Sequence, residues 1–124
     1  MGSWGPAPWE NDSAADWYAD LFSACDIAKR VEETLSLDPE EYDEEIRAAA
    51  SLLSALGRLY IWPLDSLPRL LSLAIAALTA IKESGIVEDS DAAVLLDEEI
   101  DTLVQRLASI TRTGAPRSDP AARL

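Results

Sequence analysis

Residues 70–81 read LLSLAIAALTAI, an apolar run closed by Arg69 on one side and Lys82 on the other. A membrane-spanning helix needs about 20 apolar residues, so the run is too short to cross a bilayer. It is also too apolar to lie on a surface, because a helix without a polar face needs cover on several sides. The run therefore predicts a helix over 68–84 at the centre of a helical domain. Gly85 stops it, glycine being the residue best suited to the left-handed position beyond a helix end.

Other helices must supply that cover, and apolar residues recur at helical spacing on both sides. Downstream, Leu96, Ile100, Leu103, Leu107 and Ile110 alternate steps of four and three. They predict a helix over 90–111 whose other face, Asp97, Glu98, Asp101 and Arg106, stays in water. Upstream, Tyr42, Ile46, Ala49, Leu53, Leu56 and Tyr60 keep the same rhythm. That helix is expected to start at Asp38-Pro39, where aspartate can cap and proline suits the first helical position. The segment RLYIWPLDSLP contains two prolines and predicts a structured connector over 58–67 that carries Trp62. Ala24, Ile27, Ala28, Val31 and Leu35 predict a helix over 24–37. Ala14, Trp17, Tyr18, Leu21 and Phe22 form the stripe of a shorter first helix, opened by Asn11 and Asp12 and broken near Ser23. No stretch longer than four residues alternates like a strand. The predicted fold class is all-α, a single five-helix bundle over 1–112 followed by a flexible, disordered tail over 113–124. The tail sequence GAPRSDPAARL has two prolines and no apolar period.

Composition narrows the function. The chain of 124 residues carries 23 Asp and Glu against 10 Lys and Arg, a formal charge of -13. Such a field repels nucleic acid and anionic lipid, so a macromolecular partner is expected to be a neutral or basic protein, not nucleic acid and not a membrane. There is no histidine. That removes Ser-His-Asp and Cys-His nucleophilic sites and histidine-ligated metals, each of which needs an imidazole. Cys25 is the single cysteine, so no internal disulfide forms, and a cytoplasmic location is expected.

The opening MGSWGPAPWENDSAADW gathers three tryptophans, two glycines and two prolines in seventeen residues that run into the first helix. Gly2, Trp4, Gly5, Trp9, Glu10, Asn11, Asp12, Ala14 or Ala15, and Asp16 resemble the Met-Gly-x-Trp-Gly...Asn-Asp start of a bacterial family known as domain of unknown function 4259. Trp9 stands where that family more often carries phenylalanine. The resemblance implies a small α-helical bacterial protein and brings no activity, substrate or catalytic residue with it. Two readings of the arm follow from its chemistry. Trp4 and Trp9 can bury on the order of 200 Å² each and pack the arm on the bundle as a structural lid. Alternatively Trp4, Trp9, Glu10, Asn11, Asp12 and Asp16 form a binding surface.

Carboxylates are the remaining chemical material. Glu41 and Glu44, and Glu98 and Asp101, are pairs three apart on single helix faces. Facing one another, they could hold Mg²⁺ as in all-α nucleoside triphosphate pyrophosphohydrolases, although more than a helix intervenes between the pairs here. The reading that charge and helix dipoles favour is a non-catalytic protein-binding module of immunity or regulatory type with no cofactor. The alternative is a Mg²⁺-dependent hydrolase of a phosphorylated metabolite.

Overall fold

The computed structural model describes residues 5–8, 11–59 and 61–111, and the backbone of 112–114. Five helices follow one another: α1 (Asp12–Cys25), α2 (Ile27–Leu35), α3 (Asp43–Leu56), α4 (Leu67–Ser84) and α5 (Ser90–Gly114). Among the described residues there is no β-sheet, and the fold is all-α as the periodicities require. None of these helices is long and apolar enough to cross a membrane.

The central position expected for residues 70–81 is where α4 lies. It packs on α2, α3 and α5, while α1 among the helices meets only α2. Leu67, Leu70, Leu71, Leu78 and Ile81 of α4 are fully buried, together with Ile46 and Leu53 of α3 and Leu96 and Leu103 of α5. Each such side chain contributes about 1.5–3 kcal/mol by leaving water. α4 and α5 form an antiparallel pair across Gly85, which takes the left-handed conformation at φ 75°. Lys82 Nζ meets Asp97 Oδ1 at 2.7 Å beside that turn. α3 and α5 run in the same direction. Arg47 of α3 pairs with Glu99 of α5, and further along both helices Arg106 reaches the end of α3.

Several boundaries move from their expected places, each for a local reason. Asn11 opens α1 as anticipated, its Oδ1 accepting from Ala14 N at 2.8 Å. The break after α1 falls at Asp26 instead of near Ser23. Asp26 adopts φ 53°, a left-handed conformation that aspartate tolerates better than the serine and alanine before it. Its carbonyl then accepts from Arg30 N at 3.0 Å and starts α2. α2 ends at Leu35, two residues short of expectation: Ser36 N still makes the helical bond to Glu32 O, but Leu37 N turns to Thr34 O, three residues back, at 3.1 Å. The third helix starts at Asp43 and not at Asp38-Pro39. Asp38 closes a separate turn, accepting at its carbonyl from Glu41 N and Tyr42 N and at its side chain from Glu40 N. Tyr42 at ψ 34° then stands off the helical path.

The connector is as structured as its prolines suggest. Arg58 O accepts from Ile61 N and Trp62 N, and Pro63 O from Ser66 N and Leu67 N. Trp62 is 2% exposed, donates from its indole to Ser66 Oγ at 3.2 Å and meets the Phe22 ring edge-on at 4.8 Å. Four expected placements are corrected. Tyr42, placed on the stripe of α3, is exposed just ahead of that helix, and Ala24, placed on α2, is exposed near the end of α1. Trp17, placed on the apolar stripe of α1, is 61% exposed. Arg106, placed in water, is half-buried and donates from Nη1 to the carbonyls of Ser54 at 2.9 Å and Gly57 at 3.1 Å, capping the end of α3. α5 also continues to Gly114, so residues 113 and 114 of the expected tail are helical, and 115–124 lie outside the described residues.

Candidate functional site on the outer face of the first helix

α1 reads DSAADWYADLFSAC. Asp12, Asp16 and Asp20 are four apart, and residues at that spacing stand one above another on a single helix face. All three are exposed. Trp17 lies next to Asp16 in the chain, its ring edge-on to Tyr18 with centroids 5.3 Å apart. The helix contains no lysine or arginine that could pair with these acids internally, and only Phe22 of its 14 residues is buried.

Helix electrostatics account for part of this stripe. Asp12 is in the first turn, where the exposed N–H groups favour a negative charge. That effect falls off within the turn, so it does not reach Asp20. Like charges four apart cost an isolated helix about 0.2–0.5 kcal/mol per pair. Asp16 and Asp20 form no ion pair among the described residues. Among the described residues Asp20 has no ion pair, and Trp17 stays outside the core, its ring meeting only the half-buried Tyr18.

The residues expected to form a binding surface divide into three groups. Trp4, Trp9 and Glu10 lie outside the described residues. Asn11 is spent on structure, its Oδ1 capping α1 and its Nδ2 donating to Pro8 O at 3.4 Å. Asp12 and Asp16 share the exposed face of α1, and to them the structure adds Trp17 and Asp20. The four-residue repeat of aspartates is the signal in the sequence that marks this face.

The alternative metal set does not assemble. Among the described residues no three carboxylates or thiols gather in a way that could hold a metal ion. Glu41 sits in the turn before α3, Glu44 is exposed on its first turn, and Glu98 is exposed on α5. Asp101 accepts from Gln105 Nε2 at 2.8 Å. Where α3 meets α5, a charge-paired contact stands in place of a ligand cage. Arg47 grips Glu99 with Nη2 to Oε2 at 2.9 Å and Nε to Oε1 at 3.3 Å, a two-pronged pair that the planar guanidinium favours. Cys25 is exposed as the last residue of α1, two residues before α2 begins.

No curated protein and no solved structure matches the chain. A family model does. Residues 2–58 match the domain of unknown function DUF4259, a stretch that includes α1, α2 and α3 and stops before α4. Over that stretch, just under half of its 124 residues, the chain is similar to the DUF4259 family.

Proposed function

We propose that the protein acts without catalysis, by binding a basic protein partner in the cytoplasm through the outer face of α1, in the manner of an immunity or regulatory module. The observation that carries this reading is Trp17, 61% exposed on a helix whose neighbouring acids have no role in the core. Tryptophan is among the residues that dominate binding energy when an interface covers them. Asp12, Asp16 and Asp20 flank it with negative charge, which steers a basic surface toward it and disfavours acidic competitors. The formal charge of -13 extends the same field over the whole molecule.

The test is paired affinity capture from the source organism, with the intact chain and with a variant combining Asp12→Asn, Asp16→Asn, Asp20→Asn and Trp17→Ala. A basic protein held by the intact chain at about 50 mM salt, released near about 300 mM and absent from the variant is the expected result. Equal melting of the two chains shows that the variant is folded. Retention of the same partner by the variant, or binding indifferent to salt, would contradict the reading.

A further inference from the structure

Trp17, Leu21, Ala24, Ala28, Val31 and Leu35 recur at alternating steps of four and three. That is the spacing of a single helix stripe, and it runs past Asp26 without a change of phase. At about 3.6 residues per turn, Trp17 and Leu35 would point the same way in one unbroken helix. The fold interrupts this stripe. Val31 and Leu35 are buried, whereas Trp17 and Ala24 are exposed, because the chain bends at Asp26 between α1 and α2.

The bend rests on one residue. Asp26 stands at φ 53° and ψ 36°, a left-handed conformation unfavourable to residues other than glycine, and its side chain makes no capping hydrogen bond to α2. In a helical conformation the same residue would stand four positions before Arg30 and three before Lys29, spacings at which an acid and a base attract on a helix face. Neither cation forms an ion pair among the described residues. Little else holds the bent form. Among the helices α1 meets only α2, and its one buried residue, Phe22, lies edge-on against Trp62 at 4.8 Å.

A lone straightened chain would bring Phe22 and Trp62, now 4% and 2% exposed, into water, so the straight form needs another α1 to cover the vacated ring. A second copy of the chain supplies one. We propose that Asp26 is a hinge: in its helical conformation α1 and α2 join into one helix, and α1 of each copy crosses to the other, setting its Phe22 against the other copy's Trp62. Exchange of an identical element regains the contact that each chain gives up, which is why such dimers cost little. Charge opposes it, because each copy carries a formal charge of -13, so added salt favours the dimer. Salt has the opposite effect on a basic partner held by the outer face of α1. Neither Asp26 nor Phe22 belongs to that face, so failure of one reading leaves the other standing.

The experiment follows the full chain by sedimentation after incubation at high protein concentration, in reducing buffer so that the exposed Cys25 links no copies. The expected result for the wild type is a monomer and a dimer, the dimer share rising with protein and with salt. Asp26→Gly relaxes the left-handed bend and disfavours a helix interior, and is expected to weaken dimerisation roughly tenfold or more. Asp26→Ala penalises the bend and favours the helix, and is expected to strengthen dimerisation by a similar factor. In dimers mixed from isotope-labelled and unlabelled chains, filtered NOEs between the Phe22 and Trp62 rings are expected to run between copies. A wild-type chain that stays monomeric, a dimer whose Phe22–Trp62 contact stays within one chain, or equal dimerisation of Asp26→Gly and the wild type would each overturn the proposal. Should Asp26→Ala fail to fold, the wild type and Asp26→Gly decide by the same criteria.

Discussion

α4 and α1 are both helices of a small acidic bundle, and they are held by different means. Of the 18 residues of α4, seven are buried: Leu67, Leu70, Leu71, Ala74, Ala77, Leu78 and Ile81. Of the 14 residues of α1, Phe22 alone is buried. α4 is secured by packing on three neighbours, whereas α1 is secured by a cap at Asn11, a left-handed residue at Asp26 and one ring set against Trp62. The seven buried residues of α4, and the half-buried ones beside them, are thus explained by the need to fill a core. On α1 the core accounts for one edge only, and the exposed residues left over include three aspartates and a tryptophan. Where folding makes so little demand on a helix face, the residues retained there are the ones to examine for a partner.

The contrast can be broken from either side. The largest effect is expected in α4, where Leu78→Ala removes a side chain with no exposure and leaves a cavity, lowering stability by about 3 kcal/mol in denaturant titration. A loss below about 1 kcal/mol would mean that α4 is not the packed centre of the bundle. A smaller loss is expected at the start of α1. Asn11→Ala deletes the acceptor for Ala14 N, costing about 1 kcal/mol. Because α1 is otherwise lightly held, hydrogen exchange in this variant should speed up in α1 and leave α4 protected. Uniform acceleration in both helices would show that α1 unfolds only with the whole domain.

The same contrast explains how much was legible beforehand. α4 announces itself because a run such as LLSLAIAALTAI has no polar face to give to water, and Gly85 marks its end by conformation alone. The apolar stripe of α1 is ambiguous. At about 100° per residue, Trp17 and Phe22 stand roughly 140° apart, at opposite edges of the stripe. Only the contact of Phe22 with Trp62 decides which edge faces inward. Arg106 was hidden for a different reason: its partners are backbone carbonyls at Ser54 and Gly57, and a carbonyl leaves no trace in residue identity. The break at Asp26 and the late start of α3 depend on single backbone angles, which helical periodicity does not encode. Of the candidate binding surface, Asp12 and Asp16 were readable from their spacing, while the exposure of Trp17 required the packing of its neighbours.

Two tryptophans make the most direct comparison, one from each kind of environment. Trp62 is 2% exposed and Trp17 is 61% exposed, so the same deletion probes both. Measured side by side in denaturant, Trp62→Ala should cost roughly 3 to 5 kcal/mol, as large buried aromatics do. Trp17→Ala should stay within about 0.5 kcal/mol of the parent, as surface substitutions do. Comparable losses at the two positions would contradict the account, because Trp17 would then belong to the core and its face would not be free for a partner.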